Sequence, residues 1–139
     1  MTPRWVSDEP LSVQEHLDAV SDPASGAVAL FVGRVRDHDP SVSGAVTGLD
    51  YTAHPDASDT LERLVATASV RPGVLGVAAT HRIGLVGVGE AAVVVAVATA
   101  HRTLAFQVCA ELVETVKREL PVWKREILAD GSHVWVGLE

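Results

Sequence analysis

The stretch EAAVVVAVATAHRTLAFQVCAELVETVKREL, Glu90 to Leu120, changes its period in the middle. From Glu90 to Thr99 nearly every side chain is apolar, so an extended backbone here is greasy on both faces. That predicts a central strand of a covered sheet. From Thr103 to Leu120 the apolar residues fall at helical spacing. Ala105, Val108, Leu112 and Val116 make one stripe, with Cys109 and Val113 beside it. Pro121 closes the helix, because its ring cannot continue the backbone pattern. The longest apolar run, Ala91 to Ala100, has ten residues, against the roughly 20 that a membrane helix needs.

The flanking segments fit around this pair. Leu11 to Val20 is expected as a helix opened by Ser12 and Glu15 at capping-box spacing. Gly26 to Val32 reads as a buried strand, Asp37 to Gly44 as a polar loop and Val46 to Tyr51 as a second strand. Asp56 to Ser69 has Leu61, Leu64, Val65 and Ala68 on one helical face, and Arg71-Pro72-Gly73 ends it. Val74 to His81 is a strand joined to the Glu90 to Thr99 strand by a bend or hairpin containing Gly84, Gly87 and Gly89. Val122 to Leu128 and His133 to Leu138 form a terminal hairpin around Asp130-Gly131-Ser132. The order α, β, β, α, β, β, α, β, β places the chain in the α+β class rather than in strict βαβ alternation. A single domain over residues 1–139 is expected, with Met1 to Pro10 as a loose N-terminal segment that lacks the apolar core of a secretory signal.

Composition narrows the function. The 139 residues carry 18 Asp and Glu against 11 Lys and Arg, a net charge of −7, which disfavours nucleic acid and anionic membrane as partners. One Cys cannot form an internal bridge and suits a reducing, cytoplasmic setting. The bases are unevenly spread. Seven of the 11 are Arg34, Arg36, Arg102, Lys117, Arg118, Lys124 and Arg125, and the only two lysines are in the last group.

Each basic cluster has a plain reading and a chemical one. Arg34 and Arg36 are two apart, so on an extended backbone they share a face and could grip phosphate or carboxylate. By themselves they read first as a solvated strand end. His101 and Arg102 open the long helix, whose free N–H groups attract anions; an ordinary strand-to-helix junction explains them equally well. Lys117 in the last helical turn is explained by the helix dipole, but Lys124, beyond Pro121, is not. Lysines near arginines can act as acids, bases or nucleophiles. Trp123 and Cys109 read first as core. The histidines lack metal-ligand spacing, and neither a nucleophile elbow, a P-loop nor a dinucleotide fingerprint occurs. No metal or cofactor is expected.

Taken together, FVGRVRDH (Phe31–His38), HRIG (His81–Gly84), AHR (Ala100–Arg102), KRELPVWKRE (Lys117–Glu126) and HVWV (His133–Val136) resemble the catalytic, large subunit of molybdopterin synthase, the MoaE family. The similarity runs from Gly26 to Trp135. The resemblance implies an α/β hammerhead fold with a mixed or antiparallel sheet. It also implies an enzyme that installs two dithiolene sulfurs in cyclic pyranopterin monophosphate (precursor Z) to give molybdopterin. The sulfur comes as a thiocarboxylate on the C-terminal Gly-Gly of a small ubiquitin-like subunit, whose tail threads into the large subunit. Two large subunits form a homodimer within a heterotetramer.

Carried over by motif, Lys117 and Lys124 are the catalytic lysines and also touch substrate. Arg34, Val35 and Arg36 are a substrate-binding segment, His101 and Arg102 an anion-binding pair, Arg125 and Glu126 the last binding segment, and Phe31 a pocket wall. The family's arginine after the Trp-Val pair is missing, since Trp135-Val136 is followed by Gly137, Leu138 and Glu139. Two other readings compete. One is a non-catalytic anion-binding module that docks a ubiquitin-like partner; the other is a phosphoester hydrolase, for which no metal cluster or nucleophile–base pair speaks.

Overall fold

The structure, a computed structural model, describes residues 5–40, 42 and 44–136. In chain order its elements are β1 (Val6–Ser7), α1 (Val13–Ala19), β2 (Ala27–Arg34), β3 (Val46–Ala53), α2 (Ala57–Ser69), β4 (Val74–Arg82), β5 (Gly84–Gly87), β6 (Ala91–Thr99), α3 (Arg102–Glu119), β7 (Val122–Leu128) and β8 (His133–Val136). They form an α+β fold of two four-stranded sheets, ordered β1-β4-β6-β2 and β5-β3-β7-β8.

The first sheet is mixed. β2 and β4 run antiparallel to β6 on either side of it, and β1 runs parallel to β4. β6 is therefore central, as its apolar run requires. Val95 and Val97 face the core shared with Leu61 and Leu64 of α2 and Val108 and Leu112 of α3. Ala96 and Ala98 face the other way, onto Val20 at the end of α1. The small side chains lie where the chain approaches closely. A Cβ added at Gly76 would stand 3.1 Å from the Val20 Cα.

The start of α1 follows its capping signal: Glu15 N–H donates to Ser12 Oγ at 3.1 Å. The same turn holds His16, which is only 1% exposed. Its Nδ1 lies 2.6 Å from the Ser12 carbonyl oxygen and its Nε2 2.8 Å from Thr80 Oγ1, so the ring donates to the first and accepts from the second. These bonds tie α1 to β4. His16→Ala would open a hole and leave the Thr80 hydroxyl unpaired, at a cost of about 3 kcal/mol. A lowered urea midpoint reads the loss, and an unmoved midpoint would remove this role.

Two segments differ from their sequence reading. Met1 to Pro10 is not loose throughout. Val6 and Ser7 pair with His81 and Arg82, and Trp5 packs on the main core. The segment between β4 and β6 is more than a bend, because β5 leaves the first sheet to pair with β3 in the second. Gly84 and Gly89 permit this detour, with φ of +81° and +84° at its two ends. Short strands of two and four residues carry too little periodicity to be read locally.

The second sheet is antiparallel throughout, and Val35, Val46, Leu49, Val86 and Leu128 make its own small core. The continuation of the terminal hairpin to Leu138, and the position of the missing arginine, lie outside the described residues. No helix among the described residues is long and apolar enough to cross a membrane.

Candidate functional site

A cavity of about 440 Å³ opens where the C-terminal end of α3, one end of the first sheet and the inner face of the second sheet meet. Its floor is apolar, from Phe31, Val93, Val95, Val113 and Val116, and its polar wall holds Arg34, Tyr51, His81, Lys117, Arg118 and Lys124. The two lysines reach it by a local device. Lys117 is in the last turn of α3, where a cation complements the helix dipole. Leu120 then goes extended (φ −70°, ψ +121°) and the chain enters β7 after Pro121. Lys124 pairs there with Tyr51 on β3 and Val136 on β8, both in the cavity wall. Lys117 is exposed and Lys124 half-buried, so one sits toward the mouth and the other deeper.

The wall on the β2 side depends on a glycine. A Cβ at Gly33 would meet Val93 Cγ1 at 2.6 Å and Phe31 Cε2 at 3.3 Å. Bare backbone lets the Phe31 ring and Val93 close the cavity together. The register of β2 against β6 shifts between Gly33 and Arg34. Arg34 lines the cavity and donates from Nε to the Gly89 carbonyl at 3.1 Å.

Several expected site residues are placed elsewhere. Strand β2 ends at Arg34, so the alternation expected to put Arg34 and Arg36 on one face does not extend to Arg36. Arg36 lies past the strand, outside the cavity lining and within electrostatic reach of Glu126. Val35 is a core residue. Its side chain packs in the second core and its N–H and carbonyl bond to Glu90 and Gly89. Arg125 turns to the opposite face of β7 from Lys124, as strand alternation dictates. There it bonds Asp50 at 2.8 Å and lies 5.6 Å from the Trp135 ring centroid.

Glu126 shares the inner face with Lys124 but is only 5% exposed and does not line the cavity. Burial first, and then the neighbouring Asp39 carboxylate, to which a protonated Glu126 can donate, push its carboxyl above the usual range, against the pull of Lys124 and Arg36. His101 and Arg102 are exposed at the start of α3. At 1.5 Å per residue, Arg102 lies about 22 Å along the helix from Lys117. One chain therefore does not bring this pair to its own lysines.

The structure adds two residues to the cavity. Tyr51 arrives only through β3–β7 pairing, which no local pattern announces; burial pushes its phenol up to about 12, so it stays neutral. His81 belongs to the HRIG motif, which by itself gives it no role, and the fold sets it in the cavity wall.

Comparison with known proteins places these features in context. The family model described as MoaE protein matches residues 6–119. Over 133 residues the chain is 39% identical to molybdopterin synthase catalytic subunit 1 of Mycobacterium tuberculosis, covering 95% of this chain and 88% of that one. It is 34% identical over 131 residues to the molybdopterin synthase catalytic subunit of Thermoplasma volcanium, covering 94% of each. The crystal structure of molybdopterin synthase from Staphylococcus aureus superposes with a TM-score of 0.86 at 28% identity, over 99% of this chain and 98% of that chain.

Proposed function

Because the chain belongs to the MoaE protein family, we propose that it works as the catalytic subunit of a molybdopterin synthase. It is then a sulfurtransferase that passes sulfur from the thiocarboxylated C-terminus of a small ubiquitin-like subunit to precursor Z. The observation that carries this reading is the convergence of Lys117 and Lys124 on one cavity with an apolar floor. Phosphate binding alone needs only arginines and backbone donors. Two ammonium groups above an apolar floor suit a reaction in which negative charge develops on an acyl oxygen and on sulfur. Lys117, at the mouth, meets the incoming tail and stabilises charge there, while Lys124, deeper, orients the substrate and assists opening of its cyclic phosphate.

His101 and Arg102 serve the same anion if the working unit is a homodimer. β2 is an edge strand. Its first residue, Ala27, pairs with Thr99 beside His101, and its last, Arg34, lines the cavity. Antiparallel pairing of two β2 edges about a twofold axis carries the His101–Arg102 pair of one copy toward the cavity of the other. Val28, Leu30 and Phe106 on that side are 45%, 42% and 67% exposed, apolar surface that such a contact would cover. The acidic remainder of the surface fits a protein without nucleic acid or membrane partners, and the lone buried Cys109 fits the cytoplasm.

The test combines the protein with thiocarboxylated small subunit and precursor Z and assays dithiolene product. Product formation is expected. Tight capture of the small subunit without product would instead favour the docking module.

A further inference from the structure

His81 lines the same cavity as Tyr51, Lys117 and Lys124. It lies opposite Val93 near the end of β4. Its Nδ1 is 2.7 Å from the Arg82 carbonyl oxygen. A carbonyl can only accept, so Nδ1 carries the proton and Nε2 keeps its lone pair. Among the described residues nothing hydrogen-bonds Nε2. The Tyr51 ring meets the imidazole edge-on, with centroids 5.0 Å apart and planes at 72°. Arg82 is itself held, Nη1 to Glu90 Oε2 at 3.1 Å and Nη2 to the Leu85 carbonyl at 3.2 Å. The imidazole thus has a fixed tautomer, a supported plane and one unused acceptor in the cavity that both lysines line.

The reaction proposed above, on which this inference rests, needs such an acceptor. The acyl carbon of the small subunit's tail begins with sulfur and ends with oxygen. Once that sulfur has bonded to the substrate, tail and substrate are joined as a thioester. We propose that His81 is the general base that activates the water cleaving this thioester. The water oxygen bonds to the acyl carbon while one of its protons passes to Nε2. The carbon–sulfur bond breaks with its electron pair on sulfur. The imidazolium then protonates that sulfur, leaving a thiol on the substrate and a carboxylic acid on the tail, which ionises to solvent. Water is the only co-reactant. A lysine ammonium donates but cannot accept, so the two lysines suit the acyl oxygen and the sulfur rather than the water.

The surroundings favour the neutral ring. The charged and titratable groups around the cavity are Arg34 on β2, Tyr51 on β3, Lys117, Arg118 and Glu119 on α3, and Lys124 on β7. Burial above all, and the charge of Lys124 to a smaller degree, push His81 below its ordinary value, against the opposing effect of the Arg82 carbonyl. The base is therefore available at neutral pH and is lost on acidification.

The test uses the wild-type protein, His81→Gln and His81→Ala with thiocarboxylated small subunit and precursor Z. His81→Gln is expected to lower kcat/KM by about 10²-fold or more, to flatten the acid limb of its pH profile, and to leave small-subunit affinity unchanged. Mass analysis of the quenched reaction should show the small subunit joined to substrate. Added imidazole should restore turnover to His81→Ala. An unchanged rate in His81→Gln overturns the proposal, as does a slowed variant that keeps the wild-type acid limb and accumulates no adduct. If both variants misfold, the wild-type profile decides: an acid limb centred below about pH 6.5 supports the base, and a profile with no such limb overturns it. Absence of product from the wild type would instead overturn the parent reading.

Discussion

Lys117→Ala is expected to lose dithiolene formation, by about 10²–10³-fold or to below detection, while still binding the small subunit. The size of the effect follows from position. Lys117 stands at the mouth of a cavity whose floor is Phe31, Val93, Val95, Val113 and Val116. An apolar floor offers no dipoles of its own to charge that develops over it, so the ammonium beside it is the group that stabilises that charge. Lys117 makes no hydrogen bond or ion pair among the described residues, so its removal leaves the fold intact. Single-turnover product formation and small-subunit affinity, measured on the same preparation, separate the two effects. Near-normal turnover would remove Lys117 from the chemistry, and loss of binding would make it a docking residue.

The second large effect is a gain. Arg102→Ala and Lys117→Ala, each expected to be inactive alone, should regain about a quarter of wild-type activity when the two chains are co-expressed and free to pair at random. Half of the dimers are then mixed, and each mixed dimer has one cavity with its own Lys117 and an intact Arg102 from the other copy. The expectation comes from the 18-residue span of α3, which keeps its first and last turns apart in any one chain. Two differently tagged chains purified through both tags isolate the mixed dimer. If both residues served one chain's cavity, the mixture would stay inactive, and the edge-strand pairing would have to be given up.

Much of this molecule is legible from local pattern. The period change at Ala100 to Arg102 marks where β6 hands over to α3, and the Ser12 cap marks the start of α1. The lysine pair is legible as well, because the break at Leu120 and Pro121 is local and turns the chain back within a few residues. Other features are not. β5 is a short strand amid glycines, and only its partner β3 makes it a strand. Arg125 matches the same motif as Lys124, but only the pairing of β7 with β3 supplies Asp50, the partner that holds it away from the cavity. Val35 sits between two arginines but belongs to the core of the second sheet.

The sequence by itself determined the class of fold, the central strand and long helix, and the residues whose chemistry fits the family. Those properties depend on neighbours a few positions away, through helical and strand periodicity, caps and breakers. The tertiary structure alone decided which of those residues meet. It brought Tyr51 and His81 to the lysines, sent Arg125 outward and held His101 and Arg102 a helix length away. Strand pairing and helix span act over distances that no local pattern encodes, and a side chain's neighbours across a sheet are set by register rather than by sequence proximity.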